Sequence, residues 1–283
     1  FEKKKLQMIV WLASYPKSGN TFLRSLLSSY FFSDDGIFNF GLLKYISQFP
    51  DPVFFKKLDI NLNDNVEVAK NYINAQKIIN KKKGSLEFFK THSAFCKISG
   101  HNFTDLENTR GVIYIVRDPR NVVVSQSHHF DLSISESTDL MINNKRSIGS
   151  GGTDTFVGSW NFNLNSWKQF ENKLLLVKYE ELVEKPEFVF LKVIKFLEGL
   201  LSTKYKIDRD KLNRVIETTQ FEKLKELEKK VGFPESVTDK KKNKKRDFFS
   251  LGPKNDFSKL LDQENREKIE NSFKTEMKEL LYL

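Results

Sequence analysis

Cysteine is nearly absent from this chain. Cys96 is the only one in 283 residues, which excludes an intramolecular disulfide and suits a reducing compartment. Histidine is almost as scarce. His92, His101, His128 and His129 with a single thiol make no zinc constellation, so no metal is expected. There is no run of about 20 apolar residues and no secretory leader, which predicts a cytoplasmic protein with no membrane partner. Internal repeats and linkers are missing too, so residues 1–283 read as a single domain. Residues 1–7 include three consecutive lysines and read as a flexible, solvated extension, with Met8, just before the first strand, a candidate natural start.

What the chain does have is apolar material for a substantial core, at 39% hydrophobic residues. Short apolar runs near 8–13, 86–90, 112–116 and 174–178 predict buried strands. Helical periodicity near 21–32, 66–80, 119–130, 156–171 and 187–198 alternates with them. That alternation predicts the α/β class: a central, mostly parallel sheet flanked by helices. Ile269, Phe273, Met277 and Leu280 fall at helical spacing and predict one amphipathic helix that closes the fold.

The net charge of +10 at pH 7 suits an anionic ligand, although no nucleic-acid partner is expected. Lys240 to Arg246 form the sharpest basic run, read as a solvated loop or as a lid over a nucleotide. Gly149 to Asp154 are loop-forming by composition, either an acceptor gate or a plain helix connection.

The most informative segment is Ser14-Tyr15-Pro16-Lys17-Ser18-Gly19-Asn20-Thr21-Phe22-Leu23-Arg24. It follows the apolar run Ile9 to Ala13 and precedes Phe22, Leu26, Leu27 and Tyr30 at helical spacing, so it reads as strand, tight turn, helix, with Thr21 or Asn20 as the cap. Free amides and the positive end of a helix dipole then face the loop, which makes it an anion site. Lys17 adds a full charge, Gly19 removes a Cβ where backbone approaches the ligand, and the Ser18 and Thr21 hydroxyls donate. A Walker A loop requires its lysine after the second glycine, whereas Lys17 comes before Gly19, which disfavours an ordinary P-loop ATPase or kinase.

Two further segments fit the same site. Gly111 to Val116 read as a second buried strand ending in the charged turn Arg117-Asp118-Pro119-Arg120, and a helix carrying Ser125 follows. Charge at the carboxyl end of a parallel strand sits where open α/β sheets bind ligands, so Arg117 and Ser125 are candidates to clamp a second phosphate. Leu86 to Phe89 read as a third strand, ending in Lys90-Thr91-His92.

Together these residues resemble the sulfotransferases that use 3′-phosphoadenosine 5′-phosphosulfate (PAPS). Tyr15-Pro16-Lys17-Ser18-Gly19-Asn20-Thr21 is similar to that family's 5′-phosphosulfate loop, Arg117 with Ser125 to its 3′-phosphate motif, and Lys90-Thr91-His92 to its Lys-Thr-His. Lys178-Tyr179-Glu180-Glu181-Leu182 resembles the Tyr-Glu-Asp-Leu stretch, and Thr219-Gln220-Phe221 the element bordering the adenine. Near the C-terminus, Phe248-Phe249-Ser250-Leu251-Gly252 keeps the frame of the family's Phe-x-Arg-Lys-Gly, but Ser250 and Leu251 replace the two cations. Lys254, Lys245 or Arg246 would then substitute, or the 3′-phosphate is held less firmly.

The resemblance implies a P-loop-like sulfotransferase fold and metal-free transfer of a sulfuryl group from PAPS to an acceptor hydroxyl, less readily an amine, releasing 3′-phosphoadenosine 5′-phosphate (PAP). It implies Lys17 at the bridging oxygen, Lys90 at the sulfuryl group, His92 as general base, Ser18 to Thr21 at the 5′-phosphate, and Phe22 and Phe221 around the adenine. Tyr179, Thr219, Phe248, Phe249 and Gly252 complete the expected nucleotide site. The acceptor, expected against residues 31–75 and 131–155, reads as a small phenol, alcohol or lipid-like molecule. Two alternatives stand beside this reading: a nucleotide kinase on the same strand-loop-helix logic, and a nonenzymatic basic binding protein on the same fold.

Overall fold

The computed structural model describes residues 9–80, 87–149, 153–239 and 244–283. Four strands form one parallel sheet: β1 (Ile9–Ser14), β2 (Glu87–Thr91), β3 (Thr109–Val116) and β4 (Leu174–Lys178), in the order β2-β1-β3-β4. The strands expected from the apolar runs are these four. Trp11 lies opposite Phe89 on one side and Val112 on the other, which makes β1 a central strand with no exposed backbone.

The period of two along β1 divides its apolar run between two cores. Ile9, Trp11 and Ala13 face one core with Val112, Tyr114 and Val116, while Val10 and Leu12 face the other with Ile113 and Ile115. Helices α1 (Asn20–Phe32), α2 (Asn65–Lys70), α3 (Tyr72–Asn80), α4 (Pro119–Phe130), α5 (Ile134–Ile142) and α6 (Trp160–Trp167) alternate with the strands. The first core takes α3, α4 and α6 through Ala75, Val123 and Trp167. The second takes α1 through Leu26 and α8 (Pro186–Leu201) through Phe190 and Val193, with α7 (Tyr179–Glu184) leading into α8. A third cluster joins Phe38, Leu42 and Leu43 to Leu224, Phe233 and Phe249, and so ties the segment after α1 to the region of α9 (Arg209–Thr218) and α10 (Phe221–Val231). Among the described residues, no helix is long and apolar enough to cross a membrane.

The helices depart from the expected ones in three places. The stretch 66–80 is two helices, because the Asn71 amide side chain donates to the Glu67 carbonyl at 2.9 Å and competes with the backbone ladder. The stretch 156–171 begins instead at Trp160, where Ser159 caps the helix, and Thr155–Phe156 pair with Ser147–Ile148 as a short antiparallel ribbon. Ile269, Phe273, Met277 and Leu280 are all buried as expected, yet they lie on α12 (Gln263–Ser272) and α13 (Lys274–Glu279), which meet at Phe273 after a short α11 (Phe257–Leu260). The basic residues 240–243 and the glycine-rich residues 150–152 lie outside the described residues.

Candidate active site

The turn after β1 departs from its expected cap in a way that favours an anion. Gly19, not Thr21 or Asn20, occupies the cap position of α1, at φ 96°, and no side chain caps the helix. Asn20 instead turns back and donates to the Leu12 carbonyl at 2.9 Å and the Ser14 hydroxyl at 3.1 Å, stitching the helix start to the strand end. Among the described hydrogen bonds none uses the amides of Gly19, Asn20 or Thr21, so three consecutive donors stand open at a helix N-terminus. A Cβ on Gly19 would lie 2.2 Å from Cδ2 of Tyr179, so only glycine lets that ring close on the turn. Lys17 also holds positive φ, at 68°, a conformation costing a non-glycine residue roughly 1–2 kcal/mol.

These open donors face a cavity of about 760 Å³ at the carboxyl ends of β1, β2 and β3. Lys17, Gly19, Asn20, Thr21, Phe22, Lys90, His92, Arg117, Ser125, Tyr179, Phe221, Phe248, Phe249 and Gly252 all line it. The expected site residues therefore converge, apart from two. Ser18 is fully buried and off the cavity lining, its hydroxyl without a partner among the described residues, and the buried Thr219 spends its hydroxyl on the Val215 carbonyl of the preceding helix. Ser250 and Leu251 line the cavity in place of the missing cations. Their proposed substitutes do not: Lys254 is exposed away from it, and Arg246 engages the His128 carbonyl and the Asp131 carboxylate. The Lys245 side chain lies outside the described residues.

Arg117 leaves β3 and lies over the Tyr179 ring, 4.2 Å from its centroid. One guanidinium nitrogen donates to the Lys17 carbonyl at 3.2 Å, while the buried Nε has no partner among the described residues. An unspent buried guanidinium donor beside three unspent amides fits a ligand with more than one anionic group. Lys17 Nζ rests 3.9 Å from the centroid of the Phe248 ring. Burial, with repulsion from Lys90 and Arg117, lowers its amine from the ordinary lysine value to about 7.

His92 follows β2. Its Nδ1 lies 2.9 Å from the Ser14 carbonyl, an acceptor only, so Nδ1 carries the proton and Nε2 keeps the lone pair. Desolvation, reinforced by Lys90, lowers the imidazole to about 3, so the ring is neutral at physiological pH. The Asn163 amide donates to the His92 carbonyl at 3.0 Å and fixes the backbone there.

Sequence reasoning missed Glu235. It lines the cavity, accepts from Lys90 at 2.7 Å and pairs with Arg24 at 2.5 Å. Burial pushes its carboxyl up, but Lys90 and Arg24 prevail and hold it at about 2. No local pattern marks Glu235, since Lys90 lies 145 positions earlier in the chain. Of residues 31–75 and 131–155, where the acceptor was expected, Gln48 and Ile148 line this cavity among the described residues. His128, His129, Phe130 and Val237 also line it.

Residues 8–280 match the sulfotransferase domain family. Sulfotransferase 1B1 of Mus musculus is 28% identical over 219 residues, covering 76% of this chain and 64% of the relative. Cytosolic sulfotransferase 13 of Arabidopsis thaliana is 26% identical over 221 residues, covering 77% of this chain and 62% of the relative. The chain thus spans a little under two thirds of the length of these relatives. In fold it is similar to mouse sulfotransferase SULT7A1 complexed with PAP, with a TM-score of 0.58 and 19% identity over 95% of this chain and 84% of the other. It is also similar to retinol dehydratase in complex with retinol and PAP, with a TM-score of 0.60 and 20% identity over 95% of this chain and 81% of the other. The match across nearly the whole chain agrees with a four-stranded parallel sheet whose first turn opens on a cavity, and the chain belongs to the sulfotransferase domain family.

Proposed function

We propose that this protein transfers a sulfuryl group from PAPS to the hydroxyl of a small acceptor. The observation that carries this reading is the convergence of Lys17, Lys90, His92 and Arg117 on one cavity beside three uncommitted amides. Sulfuryl transfer, like phosphoryl transfer, proceeds through a loose in-line transition state, so catalysis is mainly positioning and charge stabilisation. The amides of Gly19 to Thr21 bind the 5′-phosphate. Arg117 and Ser125 take the 3′-phosphate, and Phe22 and Phe221 flank the adenine. Lys17 stabilises the bridging oxygen as its bond to sulfur breaks, and Lys90 steadies the transferring group. A bond forms between sulfur and the acceptor oxygen, whose proton passes to His92 Nε2, and PAP departs.

Retinol, bound by one structural neighbour, is a largely apolar alcohol. The Phe130, Ile148 and Val237 wall here supports an acceptor of that kind, an apolar alcohol or phenol. The lone free thiol of Cys96 supports a cytoplasmic setting. Incubating the protein with radiolabelled PAPS and a panel of alcohols, phenols and amines tests donor and acceptor together. Label should move to an alcohol or phenol, and a protein that neither transfers label nor binds PAP would sink the proposal.

A further inference from the structure

Glu235 is a carboxylate at the wall of a cavity suited to anions, and three separate parts of the chain converge on it. Arg24 comes from α1, Lys90 from the end of β2, and Glu235 from the segment after α10. Arg24 has little freedom, since its Nε donates to the Ile46 carbonyl at 2.6 Å and its Nη2 to the Leu43 carbonyl at 2.8 Å. Its Nη1 holds one oxygen of Glu235, and Lys90 takes the other. The backbone beside Glu235 is held in place: the Ser236 amide donates to the Phe233 carbonyl at 3.2 Å, the Val237 carbonyl accepts from the Arg246 amide at 2.8 Å, and the Ser236 hydroxyl donates to Glu228 at 2.7 Å. Glu235 is thus held by the protein's own contacts.

The Lys90 side chain is only 5% exposed, and a buried ammonium needs a partner to stay charged. Among the described residues, the charged and titratable groups that interact with it are Glu235, Arg24, Lys17, His92 and His129. Glu235 is the only anion among them, and one carboxylate contact leaves the ammonium two donors to spend on a ligand. We infer that Glu235 is a positioning residue for sulfuryl transfer: anchored by Arg24, its carboxylate fixes the Lys90 ammonium at the cavity wall and supplies its counter-charge. A carboxylate that merely filled the Lys90 site until the donor displaced it would need no second cation and no backbone clamp. This inference rests on the proposed function for its role, while the coupling between Glu235 and Lys90 can be measured without it.

The test uses the full chain with carbon-13-labelled lysine, the Lys90 signal being assigned by its loss in Lys90→Gln. In Glu235→Gln the Lys90 ammonium should titrate about one pH unit lower or more, because the carboxylate it pairs with is gone, and Glu235→Asp should restore most of the difference. With PAPS as donor and 2-naphthol as probe acceptor, kcat of Glu235→Gln should fall roughly 10- to 100-fold, while PAP affinity is kept or tightened. In the Lys90→Gln background, Glu235→Gln should add no further loss of kcat. Thermal unfolding checks that each variant is folded, with Glu235→Asp as the milder change should Glu235→Gln fail. An unchanged Lys90 titration, or a Glu235→Gln protein that turns over as fast as the parent or faster, overturns the inference. The titration requires neither donor nor acceptor, so a parent that binds no PAP defeats the functional reading and leaves the Glu235 result to stand or fall separately.

Discussion

Arg117 donates to the carbonyl of Lys17 across 3.2 Å, joining the turn after β3 to the turn after β1. The two cations that would grip opposite ends of a nucleotide bisphosphate are therefore held in one frame, with Tyr179 closing on both Gly19 and the Arg117 guanidinium. The frame is built from the protein's own contacts, which pre-organise the two turns for a ligand.

Arg117→Ala removes one charge-assisted anion contact, worth roughly 1.5–3 kcal/mol. PAP affinity should fall by roughly ten- to a hundred-fold while the unfolding temperature changes little. Calorimetric titration with PAP measures this, and a variant that binds PAP like the parent would remove Arg117 from the 3′-phosphate site.

His92→Ala should reduce turnover by about 10² to 10⁴ and leave PAP binding nearly intact. Because desolvation lowers the parent imidazole to about 3, the base form persists as the medium is acidified, so His92 imposes no fall in kcat/KM between pH 7 and 5. Equal loss of turnover and PAP affinity in the variant would make His92 a structural residue.

Gly19→Ala forces a side chain into left-handed backbone and into the Tyr179 ring. The strain should cost roughly 1–3 kcal/mol of stability and weaken PAP binding by displacing the open amides. Denaturant unfolding and calorimetry read the two effects, and a variant matching the parent in both would show that the turn tolerates a Cβ.

Lys17 sits at about 7 in the ligand-free protein, so between that value and the ordinary lysine value it is largely neutral until an anion recharges it. PAP binding should take up a proton in this window, and affinity should fall as pH rises through it. Below about pH 7 the amine is already charged and the uptake vanishes. Through the same window ligand-free stability should rise with pH, because the unfolded chain binds more protons than the folded one. Calorimetry at pH 8.5 in buffers of different ionisation enthalpy reads the uptake; heats independent of buffer would contradict it.

Several parts of this protein are written locally. Ile9 to Ala13 is apolar in every position, and only a strand covered on both faces uses such a run, so β1 and the sheet around it were legible from the residues themselves. Lys17, Gly19, Lys90, His92 and Arg117 each stand within a few residues of a strand end, and a parallel sheet brings its carboxyl ends to one edge, so their convergence followed from order along the chain. Side-chain competition with the backbone was harder to read: Asn71 divides an otherwise helical stretch, and Asn20 abandons the cap to bind the Leu12 carbonyl and the Ser14 hydroxyl at the strand end.

The residue types of the chain and their spacing thus determined the sheet, the turn and the identity of the cations, because strand burial and turn chemistry act over a handful of neighbouring positions. Only the tertiary structure decided that Glu235 stands between Arg24 and Lys90, and that Thr219 turns away from the cavity it borders in sequence. Such pairings depend on how distant elements pack, and no short-range pattern encodes a contact made across 145 positions.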